Sequence, residues 1–510
     1  MFRASPDSSQ IELFSNIEQF LRERDQEQLN DPNAWHNVFL DQVVKRVSEE
    51  RFVELFDEAT GRPNAPLRVL VGMLILKEGF GWRDEALFEA VHFHLLVRRA
   101  LGLLKLTDEV PVASTYYLFK PRWYAHPVET GVNRLQEVFP ELTRDQAKRL
   151  GVVGEQRRMD RTLRGSNLAA CTRLQLIIGC LQERWKSRSA EQKACLSEAD
   201  SALLDRLSAK RPSQHLYRRE EPTKQAWLED FGQLRLRLHQ TDDLKSSPRS
   251  ALIARLWLEQ YQINEADEAA RVVLKPTQEI SADSLQAPHD ADAAYRKQRD
   301  ATVRGYSVNL TETGQEALNL IVDVQVEPAT AADHGYLKDA VQRSEQVLET
   351  TAQEISADGA YYRESNEAYA QEPGTDIHDT GFPGQPGRYD DERTADGVVV
   401  IDRGSGERQL AEEYQPGRYP CRADSKWRSI TDKAVEAAAC RRRTEALPRE
   451  LFNRRCHVEA SIFQRSYHTR KKKLQYRGCC AVQRWAVCRA AWINIKRMVI
   501  YPVKSAEILV

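Results

Sequence analysis

The chain has 510 residues, 41% of them hydrophobic and 29% charged, which is typical of a large globular protein. Its longest apolar stretch, near Val69–Leu76, is far shorter than the roughly 20 residues that a membrane-spanning helix needs. The sequence does not begin with a basic-then-apolar signal, and its 9 cysteines form no C-x-x-C pair. We therefore expect a cytoplasmic protein with reduced thiols and no membrane partner.

The formal net charge of −1 conceals a strong asymmetry. Residues 441–500 contain 16 Lys and Arg but three acids, so this segment carries +13 and the remainder carries −14. A block this basic favours a polyanion partner, most often nucleic acid, over a merely solvated helix face. The residues that we expect to contact DNA are Arg441, Arg442, Arg443, Arg454, Arg455, Arg470, Lys471, Lys472 and Lys473.

The first half of the chain is predicted to be helical. Residues 1–150 carry apolar side chains at helical spacing, as in Val38–Phe56 and Leu67–Leu76, and predict a helical N-terminal domain. Residues 176–285 combine many charged residues with heptad-like leucine spacing, which predicts an all-helical insertion. A polar helical spacer is the simpler interpretation of this insertion.

The hydrophobic period changes around residue 303. Apolar and polar residues alternate over Tyr306–Leu310 and again over Leu318–Val326, which predicts two strands joined by a turn at Glu312–Glu316. A helix is predicted over Ala331–Thr350, and a short strand then leads to Asp358. The order strand, strand, helix, strand indicates an α/β core.

A Gly/Pro-rich segment interrupts this core. Residues 371–420 hold 13 of the 45 Gly and Pro residues of the chain, and we predict a loop-like surface excursion over residues 371–428. Helical spacing returns from Thr431 through Arg497, with Pro448 as a break.

Carboxylates near predicted strands are candidates for chemistry. Asp358 follows a strand, and ligand sites of open α/β sheets gather at that edge, although Asp358-Gly359 could simply form a turn. Asp160 lies among arginines and could equally be a surface residue. Asp323 is a rival acid on the strand face opposite the valines, or it could be exposed.

Glu459 is the most informative of the acids. It shares one stripe of a predicted helix over residues 449–464 with Phe452, Cys456 and Phe463. A glutamate on an apolar stripe faces the core or a cleft, where an unpaired charge is costly. Arg455 lies one turn earlier, so a structural Arg–Glu pair is the alternative.

Short motifs follow one another along nearly the whole chain, and their order is more informative than any one of them. They are Arg62-Pro63, Pro66–Lys77, Asp108–Pro111, Ser114-Thr115, Met159-Asp160, Gly165–Asn167, Pro288–Asp290, Tyr295–Lys297, Gly305–Leu310, Ala357–Tyr361, Arg441–Pro448 and Val458–Ser461. As an ordered set, these motifs resemble a DDE transposase of bacterial insertion sequences, in the branch with a helical N-terminal domain and a ribonuclease H-like core.

The resemblance implies an α/β fold with a ribonuclease H-like mixed sheet built from residues 151–175 and 286–510. It implies that Asp160 on the first core strand, Asp358 after the fourth and Glu459 on a later helix form a catalytic triad that binds two Mg²⁺ or Mn²⁺ ions. Carboxylate oxygens suit these hard cations, and a metal pair can assist in-line phosphoryl transfer.

The activity implied by the resemblance is DNA transposition. The protein would cleave the terminal inverted repeats of its own element and join them to target DNA, as a homodimer on double-stranded DNA. The helical N-terminal domain, residues 1–150, would bind the DNA ends. The chain departs from the family pattern at Arg161, Phe452 and Ser466, where relatives carry a small residue, a tyrosine and a lysine. A metal-dependent nuclease and a catalytically decayed DNA-binding protein on the same fold are the alternatives.

Overall fold

The structure of the chain is a computed structural model. It describes residues 17–56, 64–105, 107–130, 134–240, 248–264, 271–298, 301–314, 318–371, 374–380, 388–423, 426–466 and 473–501. Within these ranges, no helix combines the length and the apolar character that crossing a membrane requires.

The N-terminal region is helical, as predicted. Twelve of the 14 residues of its third helix, Leu67–Phe80, are buried, so this helix lies at the centre of its neighbours. It ends at Gly81, whose φ of 68° is a left-handed conformation that glycine adopts without strain. The helices of this region are α1 (Glu23–Asn30), α2 (Trp35–Gln42), α3 (Leu67–Phe80), α4 (Asp84–Phe93), α5 (Leu95–Ala100), α6 (Ala113–Thr130) and α7 (Arg134–Leu150).

A first strand and the predicted insertion follow. The insertion is mainly helical in its described residues but contains two paired antiparallel strands, so the prediction of an all-helical segment is wrong at residues 261–264 and 271–274. Strands of four residues are too short for alternation to identify them. The elements are β1 (Gln156–Gly165), α8 (Arg173–Ser187), α9 (Ala190–Ala194), α10 (Glu198–Ser208), α11 (Pro212–Leu216), α12 (Glu221–Gln240), α13 (Pro248–Gln260), β2 (Tyr261–Asn264) and β3 (Arg271–Leu274).

The predicted order of strand, strand, helix and strand is confirmed in the next segment. Pro328 ends the second of these strands, as expected from its missing amide hydrogen. The elements are β4 (Ala294–Gln298), β5 (Ala301–Thr313), β6 (Ile321–Pro328), α14 (Leu337–Leu348), β7 (Glu354–Asp358), α15 (Glu364–Gln371) and β8 (Asp376–Thr380).

The predicted loop-like excursion is wrong, because residues 389–423 and 426–431 form a small β-structure. Three strands pair in one sheet and two in a hairpin, and Val398, Val400 and Ile430 share their hydrophobic cluster. Helices resume after Thr431, as predicted. The elements are β9 (Tyr389–Thr394), β10 (Gly397–Asp402), β11 (Arg408–Ala411), β12 (Arg418–Ala423), β13 (Lys426–Thr431), α16 (Asp432–Ala446), α17 (Arg449–Ser466) and α18 (Cys479–Ile500).

One mixed sheet organises the molecule. Its strands run in the order β6-β5-β1-β7-β8, and the short β4 pairs with the first part of β5. β5 is antiparallel to β1, β4 and β6, whereas β1, β7 and β8 are parallel to one another. The fold is therefore α/β with a mixed sheet, which confirms the predicted fold class.

Helices cover both faces of this sheet. On one face Met159 and Ile355 pack with Leu337 of α14. On the other face α17 and α18 pack against the sheet, and Leu310 shares a hydrophobic cluster with Trp492 of α18. The same cluster extends into α3, so α18 lies between the sheet and the N-terminal helices.

Candidate active site

The sheet brings Asp160 and Asp358 onto neighbouring parallel strands. Arg157 of β1 pairs with Ile355 of β7, and Arg158 pairs with Ser356. The same register, continued by two residues, places Asp160 level with Asp358, the last residue of β7. Neighbouring strands lie about 4.8 Å apart, and residues level in a parallel pair point to the same face. Two acids that are 198 positions apart in sequence therefore share one face of the sheet.

The alternation of strand side chains separates Arg161 from Asp160. Asp160 is 9% exposed, and its Oδ1 accepts a hydrogen bond from the backbone N of Arg161 at 2.7 Å. The Arg161 side chain points to the opposite face, where it forms an ion pair with Asp333. The bulky cation that departs from the family pattern therefore does not compete for the face that carries Asp160.

A buried tyrosine, Tyr361, belongs to the hydrophobic cluster with Met159 on the other face of the sheet, but the charge of Asp160 still affects it. Burial raises the pKa of Tyr361 well above its ordinary value, and the negative charges of Asp160 and Asp333 raise it further. The Tyr361 hydroxyl donates to Oδ1 of Asn309 at 2.6 Å. Tyr361 therefore stays a neutral hydrogen-bond donor over the whole physiological pH range.

Glu459 lies on α17. This helix packs on β1 and β7, on the face of the sheet that carries Asp160. Val458 and Ser461 of this helix are buried, whereas Glu459 is exposed. Of the two environments predicted for Glu459, the core is therefore excluded, whereas a position facing a cleft is not. The other members of the predicted stripe, namely Phe452, Cys456 and Phe463, have side chains outside the described residues.

The three acids are not gathered into one cluster. Among the residues that the structure describes, no group of three or more His, Cys, Asp or Glu side chains is close enough to hold a metal ion. The sheet thus pairs two of the predicted ligands, and the third lies on the helix that covers them.

Glu312 was predicted to begin a turn, but it lies within β5 and is fully buried. Its Oε1 accepts from Nε of Arg158 at 2.6 Å, and its Oε2 accepts from the Ser461 hydroxyl at 2.6 Å. A second guanidinium, from Arg497 of α18, lies 2.9 Å from the same Oε2. This carboxylate therefore joins β1, β5, α17 and α18 in one buried polar cluster.

Asp323 is excluded as a partner of the acid pair. It faces α14, on the side of the sheet opposite Asp160, and its Oδ1 accepts from Nε of Arg343 at 3.0 Å. Burial raises the pKa of its carboxyl to about 6, while the positive charge of Arg343 opposes that shift. Asp323 is therefore a structural residue on the face of the sheet that α14 covers.

This raised pKa predicts a pH dependence of stability. The ordinary value is 3.8, so between about pH 4 and pH 6 the folded state binds a proton that the unfolded chain releases. The contribution of Asp323 to the free energy of unfolding falls as the pH rises through that window, and Asp323→Asn should remove this contribution. Urea unfolding of both proteins at several pH values measures this difference, and parallel stability curves for the two proteins would contradict it.

The basic C-terminal block is only partly available to DNA. Arg484 and Arg489 are 2% and 3% exposed, and Arg489 donates to the backbone carbonyl of Glu78 at 2.7 Å. Arg497 pairs with Glu312 inside the polar cluster. The charge of +13 therefore overstates what this block offers to a polyanion.

The structure describes some of the residues that were predicted to contact DNA, and others lie wholly or partly outside the described residues. Arg441 and Arg442 of α16 are partly buried, and Arg442 pairs with Asp390 at 2.9 Å. Arg443 is 61% exposed and pairs with Glu367, and Lys473 is also exposed. Outside the described residues lie the whole of Arg470, Lys471 and Lys472 and the side chains of Arg454 and Arg455.

A second cationic surface was missed because its segment was interpreted as a loop. Trp427 of β13 is 73% exposed, and Arg422 of β12 is its cross-strand neighbour. Arg418 lies on the same outward face of this hairpin, and both arginines are exposed. The alternation of these arginines with the buried Tyr419 and Cys421 was the available sequence pattern.

Comparison with known proteins identifies part of the chain. Residues 24–122, which span α1 to most of α6, match the family model described as Transposase domain (DUF772). This match supports a transposase family and suggests a function in transposition. No curated protein and no solved structure matches the chain. The matched range ends before β1, so it does not include the acid pair.

Proposed function

We propose that the chain is a DDE-type DNA transposase whose metal-binding acids are Asp160, Asp358 and Glu459. The observation that carries the proposal is the register of β1 and β7, which brings Asp160 level with Asp358 on one face. The transposase-domain match in the N-terminal helices independently supports a function in transposition, which is the coarser part of this proposal.

The sheet supports the ribonuclease H-like interpretation of the core. If the short edge strand β4 is left aside, Asp160 lies on the first strand of the sheet in chain order and Asp358 ends the fourth. Glu459 then follows on α17, beyond the small β-structure. This is the order of the three acids that the resemblance implies.

The chemical type of the proposed donors suits divalent metal ions, while their arrangement among the described residues pairs only two of the three acids. Asp160 and Asp358 offer carboxylate oxygens on one sheet face, and Glu459 offers a third on the covering helix, as hard cations such as Mg²⁺ or Mn²⁺ prefer. When bound, such ions activate an attacking oxygen and stabilise a leaving one in phosphodiester cleavage. Within the chain, β1 and β7 fix the two aspartates, while the exposure of Glu459 leaves it accessible from solvent.

The proposed substrates are the terminal inverted repeats of the element and the target DNA, held by a homodimer. Arg443, Lys473 and the Trp427 hairpin provide exposed cationic side chains for the DNA backbone. Phosphate contacts position DNA but do not read its sequence. Inverted repeats flanking the gene would supply the substrate sequence for an assay.

The direct test is cleavage and joining of DNA that carries those repeats, in Mg²⁺ or Mn²⁺. Nicked ends that become joined to target DNA support a transposase, and cleavage without joining supports a nuclease on the same core. The separation of Glu459 from a three-acid cluster favours one further candidate, a DNA-binding protein without catalysis. Binding with no cleavage in either metal would establish that alternative.

DNA binding should depend on Trp427. An aromatic ring that stacks on an unpaired base contributes about 1–3 kcal/mol, so Trp427→Ala should weaken binding to a duplex with a single-stranded end about tenfold. Tyr414→Ala is the matched control, because Tyr414 is 77% exposed in the same β-structure but follows Glu412 and Glu413. Fluorescence anisotropy measures both affinities, and equal losses in the two variants would contradict the contact.

The salt dependence of this binding is a second readout. Each neutralised phosphate contributes a slope of about −0.9 to log K against log[salt] on duplex DNA. A slope near zero would show that the basic residues do not neutralise phosphates.

A further inference from the structure

Two paired strands extend the sheet beyond the end of β1. β4 and β5 are antiparallel partners, from Ala294 with Gly305 to Gln298 with Ala301. Gly305 is also level with Gly165, the last residue of β1. The first part of β5 and the whole of β4 therefore project past the edge of the sheet toward which β1 and β7 run.

The strand period places two cations of this extension on the face of the acid pair. Leu310 of β5 pairs with Asp160, and Arg304 precedes Leu310 by six residues, so Arg304 points to the Asp160 face. Its cross-strand partner on β4 is Tyr295, and the guanidinium carbon of Arg304 lies 5.9 Å from the centre of the Tyr295 ring. Lys297 follows Tyr295 by two residues and therefore shares this face.

Two further cations flank the end of β1 on its other side. Lys473 forms a parallel bridge with Gly165, so the segment that leads into α18 lies across β1 from β5. Nζ of Lys473 donates to the backbone carbonyl of Leu168 at 2.6 Å. Nε of Arg477 donates to the backbone carbonyl of Asn167 at 2.8 Å. An ammonium has three donors and a guanidinium five, so these bonds orient both side chains and leave donors for an anion.

These four cations form one surface, which we call the cationic ridge: Lys297, Arg304, Lys473 and Arg477. Arg304 is half-buried and the other three are exposed, and none of the four forms an ion pair with a described residue. Asp292 accepts from the backbone N of Cys479 at 3.1 Å, and the buried Asp290 accepts from two hydroxyl groups. Four cations against these two acids leave a net positive surface, which attracts a polyanion.

We propose that the cationic ridge binds the phosphate backbone of duplex DNA at a fixed distance from the acid pair. This inference rests on the proposed function, which supplies DNA as the polyanion. Along β5, Arg304 lies six residues and the level of Lys297 lies eight residues from the partner of Asp160. At about 3.3 Å per residue these separations are about 20 and 26 Å. A duplex rises about 3.4 Å per base pair, so the ridge contacts phosphates about six to eight base pairs from the cleaved bond.

Salt-dependent binding tests the ridge without any metal. The full chain is titrated onto a fluorescent duplex of arbitrary sequence in EDTA, and anisotropy gives log K at several salt concentrations. Lys297→Gln and Arg304→Gln each remove one phosphate contact, which should make the slope of log K against log[salt] shallower by about 0.9. Arg304→Lys keeps the charge and should keep the wild-type slope.

Lys338→Gln is the matched control. Lys338 is an exposed lysine of α14, which covers the opposite face of the sheet. This variant removes the same charge away from the ridge and should bind DNA with the wild-type slope. Melting temperatures of all the variants check that each protein is folded.

Ethylation interference tests the position of the contacts. The duplex now carries the cleaved end of the element, and single phosphates are ethylated at random. Ethylation about six to eight base pairs from the cleaved bond should weaken binding of the wild type but not of the protein with both Lys297→Gln and Arg304→Gln.

The outcomes separate the inference from the proposed function. Wild-type slopes in both glutamine variants, or an equal change in Lys338→Gln, overturn the inference, while cleavage by the same proteins keeps the proposed function. Interference at other distances from the cleaved bond also overturns it. Ridge-dependent binding by a wild-type protein that cleaves no DNA in Mg²⁺ or Mn²⁺ supports the ridge and overturns the proposed function. Wild-type protein that binds no duplex overturns both.

Discussion

Asp358→Asn is expected to abolish DNA strand cleavage in Mg²⁺ and to leave DNA affinity unchanged. Asparagine keeps the size of the side chain at the end of β7 but removes the negative charge that a hard cation requires. Metal assistance contributes several kcal/mol to the transition state, so the cleavage rate should fall by about a thousandfold or more. Single-turnover cleavage and anisotropy measure the rate and the affinity.

A neighbouring acid provides the control for charge alone. Asp376 is an exposed residue of β8 that lies level with Glu354 of β7, so Asp376→Asn removes a charge close to the same strand without touching the acid pair. This variant should cleave at the wild-type rate. Wild-type activity in Asp358→Asn would show that Asp358 does not belong to the catalytic site.

Gly305→Ala is expected to prevent stable folding. Gly305 pairs with Gly165 of β1 and with Ala294 of β4, so its backbone lies between two strands. A Cβ atom there would overlap the carbonyl oxygen of Arg164 and lie 2.6 Å from the backbone N of Ser166. Backbone atoms in paired strands cannot move aside, and we expect a loss of at least about 3 kcal/mol in the free energy of unfolding.

The matched substitution is Gly335→Ala. A Cβ atom at Gly335 meets no other described atom within 4 Å, and its φ is not positive. Urea unfolding should therefore give this variant a wild-type stability, within the few tenths of a kcal/mol typical of open surface positions. Equal stability of the two alanine variants would contradict the close approach at Gly305.

The helices and strands of the core could be predicted because apolar residues recur in the sequence at the same spacing as the buried positions of each element. Alternation over β5 and β6 reflects two differently covered faces, and Pro328 ends β6 because it cannot extend the ladder. The small β-structure was misinterpreted for the opposite reason. Gly397 and Gly417 have positive φ and form turns around short strands, so a high local Gly/Pro content there marks tight turns and not an irregular loop.

The candidate site could be predicted only in part. The resemblance pointed to Asp160, Asp358 and Glu459. The helical stripe predicted that Glu459 faces either the core or a cleft, and the exposed Glu459 does not face the core. The environment of a helix face depends on where the helix docks. The arginines of α18 show the same limitation, because a charge count cannot distinguish Arg489, which binds backbone carbonyls of α3, from an exposed cation.

The sequence alone was enough to determine the α/β character, the helical N-terminal region and the helices after Thr431. The signals for these features, namely hydrophobic periodicity and residues that end helices or strands, act over a few neighbouring residues. Only the packed structure decided that Asp160 stands level with Asp358, that Arg161 turns to the other face and that Glu312 joins four elements. Those relations depend on strand register and helix docking between segments far apart in the chain. Such long-range pairing is set by the burial of the whole core and leaves no local pattern to recognise.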